Sequence, residues 1–409
     1  MSKIYKHILV LADGRSPTTK SWLNSLFSLD FRVSLISSFP CTKMDGLEHF
    51  EVIPIAFSRF ASGESEGKTH VVSRSGKRSG LKKYIRHFSS LFTILRYWLG
   101  PISLVWNVKV YKTAIAVYKP DLVHALRIPF EGMLGSYTPK DIPFVVSTWG
   151  NDLTLHAKGS PCMRLFTRRC LKRADGLTSD TQRDINLASE WGFDIENPTL
   201  NVPGSSGLNI EMILNGTGAK FNDEKWRIPE GKLWAINPRG FRPHSVHNDV
   251  FFAAIPLVLQ KHPEVIFVCP NFAESQAEAW LEKFQIRHAT FLLPKLTQEQ
   301  LWSLYKQCAL FVSPSSHDGT PNTLLEAMAC GCFPVAGDIE SLREWIQSGE
   351  NGLLINPRDP QALADAINLA IESPDLRLNA ARINQNLMYE KASLKTNQPR
   401  IQDFYNSLM

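Results

Sequence analysis

Short apolar runs separated by amphipathic stretches set the rhythm of this chain. Residues 7–12 and 32–37 are rich in Ile, Leu and Val and predict buried strands; between them Trp22, Leu23, Leu26 and Phe27 recur at helical spacing over 18–29. The pattern returns at 122–125, 144–147 and 176–179, with a helix predicted from about Met163 to Lys172. Strands alternating with helices in this way predict a parallel sheet covered on both faces. Around Thr217 to Gly231 the periodicity lapses into a polar stretch, which places a domain boundary there. A second series then follows, with strands at 233–236, 265–269, 290–293, 310–313 and 333–336 and helices over 249–261, 274–284, 298–307 and 323–329.

The expected class is therefore α/β: two Rossmann-like doubly wound domains, at 1–216 and 231–380, and a helical tail at 381–409. A length of 409 residues is too great for one ordinary core and fits two domains. Two such domains face to face would leave a crevice, and open parallel sheets bind ligands at the carboxyl ends of their strands. The apolar run at 8–12 is too short for the core of a signal peptide. The stretch 91–108 is broken by Arg96, Gly100, Pro101 and Asn107, so no membrane span is expected and the chain is placed in the cytoplasm. Seven scattered cysteines form no paired metal-binding spacing, which predicts plain thiols.

The most informative stretch runs from Ser313 to Pro334. A strand leads through Asp318-Gly319-Thr320-Pro321-Asn322-Thr323 into a helix, whose first N–H groups are free to hold an anion such as phosphate. Asp318 stands before the helix and Glu326 one turn inside it, and carboxylates bind sugar hydroxyls well by accepting their hydrogen bonds. Asp, Asn and Thr before a helix are also ordinary capping residues. Asn237-Pro238-Arg239-Gly240 follows the first strand of the second series, where a ligand's phosphates belong; Arg239 can pair with a diphosphate and neutralise charge on a leaving group.

With Asp318-x7-Glu326, Ala327-Met328-Ala329-Cys330-Gly331 and the run Glu350-Asn351-Gly352-Leu353-Leu354, the chain resembles glycosyltransferase family 4, the retaining transferases of GT-B fold, over nearly its whole length. The resemblance implies an acceptor-binding domain at 1–216 and a nucleotide-sugar domain at 231–380. It implies that Glu326 binds the nucleotide ribose, that Asp318 binds the donor sugar, and that backbone amides from Gly319 to Thr323 meet sugar and diphosphate. The family usually carries Glu at the first acidic position. It also carries a Lys about five residues after the arginine, which is absent here; Arg242 or a histidine within 242–247 stands in that region. Retention is pictured in the family as front-face attack assisted by the leaving diphosphate, so no general base is assigned. The tail is implied to pack across both domains.

On the acceptor side the candidates are Gly14 in the first strand-to-helix turn, His124 at a strand end, and Trp149 and Asp152 in Ser147-Thr148-Trp149-Gly150-Asn151-Asp152. Some family members carry a functional His where Trp149 aligns. Gly14 equally suits any such turn, Asp152 any helix cap, and a strand-end His is often structural. No D-x-D motif occurs, and divalent chelation of a diphosphate usually needs adjacent carboxylates, so no metal and no cofactor are expected.

Charge adds a further expectation. The net charge is +6, and residues 67–120 hold eleven Lys or Arg and no Asp or Glu. Within them Leu81 to Leu99 reads as a basic amphipathic helix carrying Lys82, Lys83, Arg86 and Arg96, which suits an anionic membrane or an ordinary solvated helix face. No nucleic-acid-binding signature accompanies the charge. The expected activity is transfer of a hexosyl group from a nucleotide diphosphate sugar to a glycan or lipid-linked acceptor in surface-polysaccharide synthesis. The rivals are a non-hydrolysing nucleotide-sugar epimerase, for which no His and carboxylate cluster is seen, and an inactive binding subunit of the same architecture.

Overall fold

The computed structural model describes residues 5–56, 58, 94–216, 226, 228–242, 244–273 and 275–409. The chain divides into two compact units: one comprises 1–179, 184–201 and 401–409, the other 180–183 and 202–400.

In the first unit seven parallel strands are described: β1 (His7–Ala12), β2 (Arg32–Ser37), β3 (Phe50–Val52), β4 (Leu122–Ala125), β5 (Phe144–Thr148), β6 (Gly176–Ser179) and β7 (Thr199–Asn201). Their order across the sheet is β3-β2-β1-β4-β5-β6-β7, so the direction of winding reverses between β1 and β4. Ile8 pairs with Leu122 and Leu11 with Ala125 across that junction. Every residue of β1 is buried, which explains its continuous apolar run: helices cover both faces and no position alternates toward water. The helix Pro17–Ser28 starts with Pro at its first turn and buries Trp22, Leu23 and Leu26.

The second unit repeats the plan with β8 (Trp234–Ile236), β9 (Ile266–Pro270), β10 (Thr290–Leu293), β11 (Leu310–Ser313), β12 (Phe333–Gly337) and β13 (Leu353–Ile355). All pair in parallel, in the order β10-β9-β8-β11-β12-β13, and winding reverses between β8 and β11. Phe251, Phe252, Phe267 and Phe272 lie in the core on one face of the sheet, while Phe311, Leu325 and Met328 belong to a second cluster. A capping box at Thr297 and Gln300 starts the helix Gln298–Tyr305.

The three-residue strands β3, β7 and β13 were not among the predicted strands. The expected boundary at 217–231 lies mostly outside the described residues. The second unit already begins at Val202. The C-terminal helix Leu394–Leu408 groups with the first unit only from Ile401 onward, where Tyr405 is fully buried and accepts a hydrogen bond from Trp22 Nε1 at 3.0 Å. Of the basic stretch 81–99, residues 81–93, with Lys82, Lys83 and Arg86, lie outside the described residues. Residues 94–103 are helical. Among the described residues no helix is long and apolar enough to cross a membrane.

Candidate functional site

The second unit brings its two candidate segments together at the point where the strand order reverses. Arg239 follows β8 and Asp318 follows β11, and these strands are direct neighbours, so both loops leave the same edge of the sheet. Arg239 is only 5% exposed. Its guanidinium pairs with the Asp318 carboxylate and donates to Thr323 Oγ1 at 3.2 Å. Its Nε is buried and has no partner among the described residues. The loop is pinned by amide side chains: the Arg239 N–H donates to Asn237 Oδ1 at 3.1 Å, and Asn248 Nδ2 donates to the Gly240 carbonyl at 2.6 Å. Gly240 takes φ +60°, a left-handed conformation costly for other residues, and a Cβ there would lie 2.4 Å from Asn271 Nδ2. Arg242 donates to the Arg239 carbonyl at 3.3 Å, and the neighbouring Arg239 charge lowers its pKa to about 10.

The turn after β11 is equally constrained. The Gly319 amide donates to Asp318 Oδ1 at 3.1 Å and the Thr320 amide to Asp180 Oδ2 at 3.0 Å, so these two N–H groups are engaged within the protein. Of the segment Gly319 to Thr323, whose amides the resemblance turns toward sugar and diphosphate, these two have protein partners here and Pro321 has no N–H. Gly319 is required sterically, because a Cβ would lie 2.4 Å from Asp180 Oδ2. Thr320 Oγ1 accepts from Trp345 Nε1 at 2.8 Å, and Asn322 Oδ1 accepts from Ser205 Oγ at 3.2 Å. The helix Asn322–Ala329 starts after Pro321 with no side-chain cap, so the capping role open to Asp, Asn and Thr in the sequence is not used.

Glu326 is 4% exposed and accepts a hydrogen bond from Gln298 Nε2 at 3.0 Å. Burial pushes its carboxyl up to about 7, against the lowering effect of that hydrogen bond. Thr323, the hydroxyl that Arg239 reaches, and Glu326 belong to the same helix, three residues apart. An arginine fork, an uncapped helix start and a carboxylate near its ionisation point form a set suited to an anion beside hydroxyl groups. Among the described residues, no three His, Cys, Asp or Glu gather as a metal site.

In the first unit, Trp149 lines a cavity at the ends of β1 and β4. The other acceptor-side candidates do structural work. His124 is fully buried, with Nδ1 2.6 Å from the Tyr405 hydroxyl and Nε2 2.9 Å from Ser147 Oγ, and burial lowers its pKa to about 3. Gly14 is a packing glycine, since a Cβ there would lie 2.6 Å from Cys41 Sγ. Asp152 is fully buried and accepts from Arg127 Nε at 2.9 Å and from the Trp149 amide at 3.2 Å, so it positions neighbours rather than meeting a ligand. The residues missed in the sequence are Asp180, Gln298 and Asn248, with Arg127 and Glu131 in the first unit, while Asn237 was quoted only as part of the Arg239 turn and Arg96 only as a charge of the basic stretch. Of those missed, Asn248, near Arg239 in sequence, was the only one with a local signal.

The profile of the family described as glycosyl transferases group 1 matches residues 219–386. The chain is 28% identical over 284 residues to the serotype-specific mannosyltransferase WbdA of Escherichia coli, covering 63% of this chain and 33% of that protein. It is 26% identical over 230 residues to D-inositol 3-phosphate glycosyltransferase of Corynebacterium urealyticum, covering 53% of each. The matches thus span a third to a half of these relatives' lengths. The fold is similar to that of Anabaena Alr3699/HepE, solved in complex with UDP and glucose, with a TM-score of 0.68 at 15% identity over 99% of this chain and 100% of that one.

Proposed function

The chain belongs through residues 219–386 to the group 1 glycosyltransferases and has the GT-B fold, and from that premise we propose that it transfers a hexosyl group, with retention, from a nucleoside diphosphate sugar to a glycan or lipid-linked acceptor in surface-polysaccharide synthesis. The observation that carries this reading is the buried Arg239 guanidinium, held by Asp318 and Thr323 beside an uncapped helix start. In the free protein Asp318 compensates Arg239, since a buried charge without a partner is costly. When donor binds, the diphosphate takes the guanidinium and the helix N–H groups, and Asp318 turns to sugar hydroxyls. Glu326 accepts from the ribose. This positive potential stands in place of a metal ion, and charge building on the departing diphosphate is stabilised where it forms.

A thermal-shift screen against UDP, GDP, ADP, CMP and their sugar conjugates tests the donor site. One nucleotide is expected to stabilise the protein, by about 2.7 kcal/mol at a hundredfold excess over its Kd. No stabilisation by any of them overturns the donor assignment and favours an inactive binding subunit.

The same reading includes peripheral contact with an anionic membrane, supported by Lys82, Lys83 and Arg86 in the sequence and by exposed Leu95, Trp98, Leu99, Ile102 and Trp106, whereas Arg96 turns to the Phe130 ring and adds nothing to that face. Salt-sensitive binding to phosphatidylglycerol vesicles is expected, and it should be lost when Lys82, Lys83 and Arg86 are replaced by Glu. Absence of binding at low salt removes the membrane contact.

A further inference from the structure

The first unit has its own reversal of strand order, between β1 and β4, and a cavity of about 310 Å³ opens at the carboxyl ends of these strands. Asp13 after β1, Arg127 after β4 and Trp149 after β5 reach its wall, joined by Arg96, Tyr97 and Glu131. Its charges are unequally matched. Asp13 is neutralised by Arg15 at 3.0 Å, and the fully buried Asp152 by Arg127 Nε at 2.9 Å. Asp152 also accepts from the Ile128 and Trp149 amides, so its lone pairs are occupied. No protein group takes the terminal nitrogens of Arg127 among the described residues, and its guanidinium lies 5.3 Å from the centre of a Trp149 ring.

Arg96 makes no ion pair among the described residues. Its guanidinium rests 4.6 Å from the Phe130 ring centre, and its Nε is buried without a partner. Phe130 is held there by a left-handed backbone, φ 68°, which a bulky residue rarely adopts, and its ring fills the space that a Cβ on Gly100 would take. The remaining acid, Glu131, accepts from Ser38, and burial pushes its carboxyl toward the protonated form. His156 sits beside Tyr97, its Nδ1 2.7 Å from the hydroxyl, and burial lowers its pKa to about 4, so it is neutral at pH 7. Two guanidiniums with unused donors in a half-enclosed, largely apolar wall call for an anion with several oxygens, which a neutral sugar does not offer.

We propose that this cavity is the acceptor subsite for a phosphate group, as ester or diphosphate, gripped by Arg96 and Arg127. The inference rests on the transferase reading above and narrows its acceptor to phosphate-bearing molecules. Phe130 and Trp149 supply the aromatic wall over which the two guanidiniums lie.

Titration calorimetry with inorganic pyrophosphate on the full chain tests it. An Arg239→Ala background silences the arginine of the second unit, so the outcome does not depend on the nucleotide screen. The Arg239→Ala protein is expected to bind pyrophosphate. Adding Arg96→Gln should weaken that binding on the order of tenfold or more, whereas Arg96→Lys should retain part of it. Equal binding with and without Arg96, or none in the Arg239→Ala protein, overturns the assignment, as does equal affinity for glucuronate. Tighter binding of farnesyl diphosphate than of glucose 1-phosphate identifies a lipid-linked source, and the reverse a phosphorylated sugar; either supports the phosphate site. Should Arg96→Gln fail to fold, protection of Arg96 from phenylglyoxal by pyrophosphate, read by peptide mass spectrometry on the unmutated chain, decides the question. Unchanged modification overturns it.

Discussion

Replacing Glu326 by Gln is expected to make the free protein more stable at pH 8 while weakening its hold on nucleotide. Glu326 is an acid whose pKa rises from 4.5 to about 7 on burial. The folded state therefore holds a proton that the unfolded chain has released between these values. Stability falls as pH rises through that window, and the whole penalty is present above pH 7. A displacement of that size corresponds to about 3 kcal/mol. Gln carries no charge and escapes the penalty, though it makes a poorer partner for Gln298, so a net gain of about 1–2 kcal/mol at pH 8 is the expectation. Melting curves of both proteins from pH 5 to pH 8 check this, and a gap that does not widen with pH contradicts it. Hydroxyl groups donating to a carboxylate bind more strongly than to an amide oxygen, so nucleotide affinity should drop about tenfold or more in the variant. In the unmutated protein affinity should fall as pH drops below 7, because the ligand favours the ionised carboxylate.

Arg239→Ala is expected to lower kcat by about two to three orders of magnitude, the range seen when one preorganised group facing developing charge is removed. kcat/KM should fall further than kcat, because the guanidinium that faces the diphosphate as it departs also holds it in the bound donor. Arg239→Lys should rescue little. The native group already uses separate nitrogens for Asp318 and Thr323, and an ammonium on a flexible stem has no such fork. Steady-state kinetics of both variants, with Asp318→Asn alone and combined with each, measure the coupling. Activity within tenfold of the unmutated enzyme in Arg239→Ala contradicts the role. Loss of Arg239 also leaves Asp318, 15% exposed, without its cation, so melting curves must accompany the kinetics to separate folding from catalysis.

The two series of strands were legible because β1, β4, β8 and β11 are short apolar runs whose character needs no distant partner to be recognised. The strand-turn-helix segment that holds Asp318, Gly319 and Glu326, the candidate donor turn, was legible for the same reason. What surrounds them was not. Thr320 meets Asp180 across 140 residues of chain, and Gln298 reaches Glu326 from the preceding helix. His124 read as a strand-end candidate until Tyr405, 281 residues away, closed over its ring. Gly14, taken for an approach to a ligand, makes room for Cys41.

The sequence by itself determined the alternation of strand and helix, the doubly wound class and the segment where a nucleotide sugar is expected, because backbone periodicity and turn chemistry are local. The tertiary structure decided which charges are compensated and which are left over: Arg239 against Asp318, Arg127 against Asp152, Arg96 against none among the described residues. Those matches depend on separations of a few ångströms and on exclusion of water, and both are set by the order of strands across a sheet rather than their order along the chain.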